Sequence, residues 1–384
     1  MNYKNLETEL ILRCSTTEIN PNSIIRIKEI IEQDIDWDYF ITTAKIHKVA
    51  PLVFVNIIKI ASKVIPSDKL STLQTFIRSL VIKNLYIIKE LIYLMECFES
   101  NNIPAIPYKG VILAAAFYKD PSLRQFTDLD FLVPREKYIE TQQLLMSLGY
   151  QAPPQTNVDW ERGFINPQKQ IAVDLHQGLT RFSNLINIDF TSFCDRLESV
   201  LIGGVEVKSF SSEDMLIVLC VQLAKDSQWT AEVLIKVCDI AQLLRANPAL
   251  DWQLIWQRCK KLGTRRILLF SLSVTKEMLE IELPDLITQK IQADQVVQKA
   301  ALQVCQEFFD RSEESFLNRT FKERIYLRKL FRERWQDKIS YNFKKAVTPN
   351  ERDQEVVELP TQLSFIYYFL RPIRLTFKYL NRLF

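Results

Sequence analysis

The chain has 384 residues and a mass of 45.1 kDa, which is too long for a single ordinary hydrophobic core. We therefore expect about two or three domains. Its hydrophobic content of 47% and charged content of 25% are ordinary for a soluble globular protein, and its net charge of +3 does not by itself indicate a partner. Seven glycines against fifteen prolines predict a mostly helical chain with few tight hairpins.

The C-terminal part of the chain is its basic part. Residues 311–345 contain eleven Lys or Arg against five Asp or Glu, and the last fourteen residues add four cations and no acid. The tail at residues 365–384 is also aromatic, so it could lie on an anionic membrane surface or contact RNA. The alternative is that it docks on its own domain with its charges in water.

The cysteines and the apolar runs exclude several other classes. The seven cysteines are scattered and form no C-x-x-C pair, so neither a zinc site nor a disulfide framework is expected, and the reduced cytoplasm fits best. The N-terminal residues lack the apolar core of a signal peptide, and no uncharged apolar run reaches about eighteen residues. A spanning helix is therefore not predicted.

The first hundred residues are predicted to be helical. Residues 37–49 form a short helix, and Pro51 suits the first turn of the next one. Ser67-Asp68 is a plausible N-cap of a long amphipathic helix, in which leucine and isoleucine recur at helical spacing as far as Ser100. His47 is expected to be a packed helix residue rather than a ligand.

Residues 101–211 have the pattern of a small α/β unit. Residues 103–108 are expected to form an edge strand because they contain two prolines. Residues 111–118 are apolar all round, which predicts a buried helix. Further along we predict a strand at 126–133, a helix at 135–148 closed by Gly149, and an alternating strand at 170–176.

After residue 212 the chain is predicted to be helical again, with helices at 212–223 (capped by Ser212-Glu213), 231–245, 251–262 and 265–279, and several more beyond Pro284. A polar linker around 350–353 precedes a last helix from Gln362. The fold class is therefore α+β and predominantly helical, with a small α/β domain and mixed sheet flanked by helical domains. The expected domains are 1–100, 101–211 and 212–346, followed by the linker and basic aromatic helix at 347–384.

Two carboxylates lie within the apolar strand at 126–133. Strand periodicity places Asp128 and Asp130 on one face, roughly 7 Å apart, where they repel each other unless a cation lies between them. Magnesium prefers such oxygen ligands together with substrate phosphates. Asp174 lies on a later strand, and if the two strands are adjacent, three carboxylates could hold two ions, or one ion and deprotonate an acceptor. His176, on the same face, could orient a carboxylate or contact a base, or could be structural.

A lysine and a glycine stand where the first strand of the α/β unit gives way to a helix. Gly110 permits close approach of a phosphate to the helix start, and Lys109 could add a point charge for a triphosphate. Arg124 could do the same, or could brace the loop through a salt bridge to Asp120 or Asp128. Four side chains of the predicted C-terminal helices could line the same cleft, or else be packed or solvated: Lys225, Trp229, Lys236 and Asp239.

These residues resemble the nucleotidyltransferases of the polymerase-β superfamily and, within them, a bacterial family of uncharacterised nucleotidyltransferases. The superfamily pattern is a strand-end glycine followed by Gly or Ser, then Asp-x-Asp on the next strand, then a third acid on a later strand. The particular family adds a lysine, an arginine and an Asp-Leu-His strand end. The matching positions here are Lys109, Gly110, Val111, Arg124, Asp128, Asp130, Asp174 and His176.

The chain departs from the family pattern at three points. Val111 stands where the pattern has a second small residue. Seventeen residues separate Gly110 from Asp128, which is a longer gap than in the general pattern. Around residues 222–226 relatives tend to carry histidines, whereas this chain has Gln222 and Lys225.

The resemblance implies an enzyme that transfers a nucleoside monophosphate from a nucleoside triphosphate to an unidentified acceptor (small molecule, sugar or protein) and releases pyrophosphate. It implies Mg²⁺ (or Mn²⁺) bound by Asp128, Asp130 and Asp174, of which Asp174 also activates the acceptor. The residues implied on the nucleotide side are Lys109, Gly110, Arg124 and His176. Two alternatives stay open: a toxin-like enzyme that modifies RNA, and a degenerate, non-catalytic nucleotide-binding protein, which the valine at position 111 supports.

Overall fold

The structure is a computed structural model, which describes residues 5–152, 160–179, 190–227, 233–307, 327, 330–334, 336, 338–339, 343, 347–348 and 365–380. Trp229, the polar linker at 350–353 and Gln362 lie outside these residues. Helices dominate the described chain and surround two small sheets, so the fold is α+β and predominantly helical, as the sequence predicts. In that part of the chain no helix is long and apolar enough to cross a membrane.

Five helices precede the first strand: α1 (Leu6–Cys14), α2 (Pro21–Ile31), α3 (Trp37–Ile46), α4 (Ala50–Ala61) and α5 (Ser67–Ser100). Side-chain caps explain three of the starts, because Asn5, Asn20 and Asp36 each accept a hydrogen bond from the backbone N–H three residues later. Pro51 lies in the first turn of α4, as predicted. The long helix α5 ends at Ser100 as predicted, but its N-cap position is Pro66 rather than Ser67-Asp68, and no side chain caps it. His47 is buried at the end of α3.

The first sheet contains β1 (Ile106–Tyr108), β2 (Asp128–Leu132), β3 (Glu161–Asn166) and β4 (Ile171–His176), in the order β1-β2-β4-β3. Strands β2 and β4 are parallel and the two outer pairings are antiparallel, so the sheet is mixed, as predicted. Strand β1 lies at the edge, where the missing N–H of Pro107 is tolerated. Strand β3 was not predicted, because Phe164 is its one buried apolar side chain and leaves no alternation to detect.

A second sheet, which the sequence analysis missed, is the antiparallel hairpin of β5 (Leu197–Ile202) and β6 (Val205–Phe210). Gly203 and Gly204 form its two-residue turn with φ of 57° and 87°. Positive φ at both central positions is what this kind of hairpin turn needs, so the Gly-Gly pair was a usable signal. The turn packs on α5, since a Cβ at Gly203 would lie 3.2 Å from Cδ1 of Ile92.

Between the strands, α6 (Gly110–Leu113) continues into a π-helical turn (Ala114–Tyr118), and α7 (Tyr138–Ser147) ends before Gly149, whose φ is 88°. After the hairpin come α8 (Ser212–Asp226), α9 (Val233–Ala246), α10 (Trp252–Leu262), α11 (Arg265–Leu279), α12 (Asp285–Ala293), α13 (Gln295–Glu307) and α14 (Tyr367–Leu380). The predicted cap of α8 is one residue off, because the Ser211 hydroxyl accepts the bond from Asp214 N–H at 3.3 Å. Buried apolar side chains from α1 to α13 form one continuous core, and the domain boundaries stay a prediction.

Candidate active site

The parallel pairing of β2 with β4 brings the predicted acids together. In its register Asp130 lies opposite Asp174, and Asp128 lies two residues earlier on the same strand face. One ligand atom each from Asp130, Asp174 and His176 lies within 4.8 Å of the others. Strands β2 and β4 are therefore neighbours, as the predicted three-carboxylate site requires. These side chains line a cleft of about 230 Å³, which Asp128 also lines.

Two neighbours hold the Asp130 carboxylate. Lys109 Nζ lies 2.6 Å from Asp130 Oδ1, and His176 Nε2 lies 3.1 Å from the same oxygen. The imidazole is only 3% exposed and lies between two aromatic rings, with centroid distances of 5.5 Å to Tyr108 and 5.7 Å to Trp160. This enclosure favours the carboxylate-orienting role for His176 over contact with a base.

The three acids differ in how readily they ionise. Burial raises the pKa of Asp174 to about 7, with help from the charges of Asp130 and Asp128. Burial and the charge of Asp130 also raise the pKa of Asp128. Burial opposes the ionisation of Asp130 as well, but its lysine and histidine neighbours outweigh burial and hold its pKa well below the usual range. The cluster therefore has more negative charge than its neighbours compensate, a condition that a bound cation relieves.

The corner between β1 and α6 contains backbone strain. Lys109 has φ 63° and ψ −153°, a conformation that costs a residue with a side chain about 1–3 kcal/mol. Gly110 follows with φ 29°, and a Cβ there would lie 3.4 Å from both Asp128 O and Phe126 Cβ. Val111 is 3% exposed and belongs to the hydrophobic core. The core thus accommodates the departure from the family pattern, and Lys109 and Gly110 face the cleft.

Arg124 makes a buried bidentate ion pair with Asp239 of α9. Its Nε lies 2.7 Å from Oδ1 and its Nη2 lies 2.8 Å from Oδ2, and the Asp239 side chain is 2% exposed. The Tyr118 hydroxyl donates to the same carboxylate at 2.9 Å. Arg124 Nη1 donates to the carbonyls of Gly110 and Gln125, both at 3.3 Å. One guanidinium therefore ties the glycine corner and the loop before β2 to α9.

This ion pair corrects one expectation. Asp120 and Asp128 were the acids expected to pair with Arg124, whereas the acid is Asp239, 115 positions further along the chain. Asp120 instead accepts a hydrogen bond from the backbone N–H of Ser122 at 2.8 Å. Because the guanidinium is buried and directed at α9, Arg124 is better placed to brace the cleft than to bind a phosphate.

Lysines from the helical regions also line the cleft, namely Lys225 of α8, Lys236 of α9 and Lys48 just after α3. Lys236 Nζ pairs with Asp226 at 2.7 Å. Lys225 Nζ is 3.9 Å from the same carboxylate and lies 5.5 Å from the centroid of the Trp160 ring. Burial lowers the pKa of Lys225, so its charge is incompletely compensated and would favour an anionic ligand.

The cleft brings together all the described residues that the sequence analysis assigned to it: Lys109, Gly110, Arg124, Asp128, Asp130, Asp174, His176, Lys225, Lys236 and Asp239. It also contains three charged residues that were missed, Lys48, Glu161 and Asp226. Glu161 begins β3, which was itself missed, so nothing placed it beside β4. Lys48 lies in a left-handed turn between α3 and α4, and no sequence pattern directed it to the acids.

A family model described as an uncharacterised nucleotidyltransferase matches residues 33–280, well over half of the chain and the whole of the cleft. The chain belongs to this family. Its place among the nucleotidyltransferases, which the acidic pair and the lysine-glycine corner predicted, is thereby confirmed. None of the curated proteins compared with the chain matches it.

Several solved structures resemble the chain at low identity. ANT(2″)-Ia in complex with adenylyl-2″-tobramycin is 13% identical with a TM-score of 0.33, over 45% of this chain and 95% of that one. The lincosamide antibiotic adenylyltransferase LnuA, bound to lincomycin, is 15% identical with a TM-score of 0.29, over 40% and 94%. An antigenic nucleotidyltransferase-like protein from Paracoccidioides brasiliensis is 16% identical with a TM-score of 0.34, over 58% and 97%.

Proposed function

We propose that the protein is a metal-dependent enzyme that transfers a nucleoside monophosphate from a nucleoside triphosphate to an acceptor and releases pyrophosphate. The observation that carries this proposal is the opposition of Asp130 and Asp174 on adjacent parallel strands, in a cleft that also contains lysines. Phosphoryl transfer depends mainly on positioning and on neutralising phosphate charge. A cleft that combines acids for a metal with lysines for phosphates supplies both.

The donor set fits a divalent cation. Asp128, Asp130 and Asp174 offer the hard oxygen ligands that Mg²⁺ and Mn²⁺ prefer. Burial, and after it the charge of the neighbouring acids, raises the pKa values of Asp128 and Asp174, and a cation at this place would stabilise their ionised forms. When bound, the ion would polarise the phosphate under attack and neutralise its developing charge.

The side chains of the cleft have distinct parts in the proposed reaction. Lys225 and Lys236 hold the β- and γ-phosphates, which leave together as pyrophosphate. Asp174 accepts the proton of an acceptor hydroxyl as the hydroxyl oxygen bonds to the α-phosphorus. The bond from the α-phosphorus to the bridging oxygen breaks in the same displacement. Arg124 and His176 hold the cleft residues in place.

A transfer assay tests this proposal. Purified protein is incubated with Mg²⁺, each α-labelled nucleoside triphosphate in turn, and a lysate fractionated into small molecules, RNA and protein. Label in one fraction identifies the acceptor class. The variant Asp130→Asn should transfer about 100-fold more slowly or worse, because it removes the charge at the centre of the cluster. The control Glu136→Gln removes an exposed carboxylate just after β2 and should stay fully active. Full transfer by Asp130→Asn would exclude this site.

Two alternatives give different outcomes in the same assay. Label in RNA, together with RNA binding that weakens steeply with salt, would indicate an RNA-modifying enzyme. That idea depended on the basic C-terminal stretch, most of which lies outside the described residues, and within them Arg332 and Arg371 are buried. No incorporation in any fraction, with nucleotide still bound, would indicate a non-catalytic nucleotide-binding protein.

A further inference from the structure

The position of Lys109 bears on how a metal reaches the acids. Its Nζ lies 2.6 Å from Asp130 Oδ1, and Asp130 supplies one of the three ligand atoms that lie within 4.8 Å of one another. A magnesium ion bound to a carboxylate oxygen lies about 2.0–2.1 Å from it. Asp130 Oδ1 already has two neighbours, Lys109 Nζ at 2.6 Å and His176 Nε2 at 3.1 Å, which match its two lone pairs. A metal ion that binds this oxygen therefore competes with the ammonium for it.

The surroundings of Lys109 suit a charge that stands in for a metal. Its ammonium contacts Asp130, which lies two residues from Asp128 on the same strand and opposite Asp174 on the next, so the ammonium lies against the central acid of the three. Its ammonium also lies 4.8 Å from the centroid of the Tyr108 ring, which stabilises a cation at this place. The Lys109 side chain is nevertheless 23% exposed and lines the cleft, so it can turn towards a ligand there without unfolding its surroundings.

We propose that Lys109 is a placeholder cation, whose ammonium neutralises Asp130 in the nucleotide-free protein and moves to the triphosphate when a metal–nucleotide complex enters. This inference rests on the proposed function, and it adds an exchange of ionic partners in which no covalent bond changes. Its consequence is that a metal ion alone binds weakly, because it must displace the ammonium. The nucleotide phosphates provide the partner that releases Asp130 to the metal, so metal and nucleotide bind cooperatively.

Mn²⁺ binding without turnover tests this exchange. Free Mn²⁺ is measured by electron paramagnetic resonance in titrations of the nucleotide-free wild type, Lys109→Met and Lys109→Arg. Lys109→Met has a similar length and no charge, and it should bind Mn²⁺ about tenfold more tightly than the wild type. Lys109→Arg keeps the charge and should remain close to the wild type. Equal or weaker Mn²⁺ binding by Lys109→Met would overturn the placeholder role.

A second variant locates the effect. Adding Asp130→Asn to Lys109→Met should abolish the gain in Mn²⁺ affinity, because the gain is assigned to that carboxylate. A gain that persists would place the ion elsewhere and would also overturn the proposal. Circular dichroism spectra and thermal unfolding of each variant establish that folded proteins are compared.

A third measurement uses only the wild type and needs no variant to fold. Mass spectrometry after brief acetylation reports the reactivity of Lys109, which saturating Mg²⁺ alone should raise severalfold by displacing the ammonium from Asp130. A magnesium–nucleotide analogue should lower that reactivity again. Unchanged reactivity in both conditions would refute the exchange. If the exchange is observed but the transfer assay finds no product, the proposed reaction fails and the exchange stands. If the transfer assay finds a product but the exchange is not observed, the exchange alone fails.

Discussion

The buried ion pair between Arg124 and Asp239 offers a quantitative test of how the cleft is assembled. The carboxylate accepts two N–H bonds from the guanidinium, at 2.7 and 2.8 Å, and one O–H bond from Tyr118 at 2.9 Å. Removing one partner of a buried pair costs about 3–5 kcal/mol, because the other charge is left buried and unpaired. Both Arg124→Met and Asp239→Leu should therefore lower the free energy of unfolding by about 3–5 kcal/mol.

Urea denaturation of the wild type, the two single variants and the double variant measures this pair as a double-mutant cycle. The double variant should lose clearly less stability than the sum of the single losses, because it leaves neither charge alone. Lys137→Met is the matched control, since it breaks the part-exposed Lys137–Glu140 pair at 2.8 Å and should cost only about 0.2–1 kcal/mol. Losses that simply add would refute the bracing role of Arg124.

Three further predictions concern the cleft itself. Burial and the neighbouring acids raise the pKa of Asp174 to about 7, so protons compete with a metal below that pH. As the pH rises to about 7, the Mn²⁺ dissociation constant should therefore fall by up to about tenfold per pH unit and then level off. A dissociation constant that calorimetry finds independent of pH would contradict this. Lys225→Met should raise the KM for the nucleoside triphosphate about tenfold with little change in kcat, and an unchanged KM would exclude contact with the phosphates. Gly110→Ala should destabilise the fold by roughly 1 kcal/mol or more, because φ is 29° and the added Cβ meets Asp128 O at 3.4 Å. An unchanged melting temperature would show that the corner relaxes.

The helices and strands in which apolar residues recur at a regular spacing were predicted correctly. Helix α5 extends from Ser67 to Ser100 because its apolar side chains recur at helical spacing over the whole length. Strand β4 was predicted from the alternation of Ile171, Val173 and Leu175, all of which are buried, with Ala172, Asp174 and His176 on the opposite face. Strand β2 was instead predicted from the apolar run at 126–133 that contains its two acids, and four of its five residues are buried.

Contacts between distant segments could not be predicted from local patterns. The sequence indicated that Asp130 and Asp174 could meet, but the register that sets them opposite each other depends on hydrogen bonds between strands. Lys109 was assigned to phosphates, and nothing local indicated that its ammonium would lie 2.6 Å from Asp130. The partner of Arg124 was misjudged for the same reason, because the choice among acids is made by packing against α9 rather than by spacing.

The helices after residue 211 are part of the cleft and not an accessory to it. Asp239 of α9 holds Arg124, and Arg124 in turn donates to the carbonyl of Gly110, so a displacement of α9 would also move the lysine-glycine corner. Lys225 of α8 and Lys236 of α9 add positive charge to the cleft. Another lysine near the acids, Lys109, directly follows β1. In the proposed reaction the strands provide the acids for metal binding and proton transfer, whereas the helices set the shape and charge of the space for the substrates. We therefore expect acceptor preference to follow substitutions on α8 and α9, and the chemical step to follow substitutions on β2 and β4.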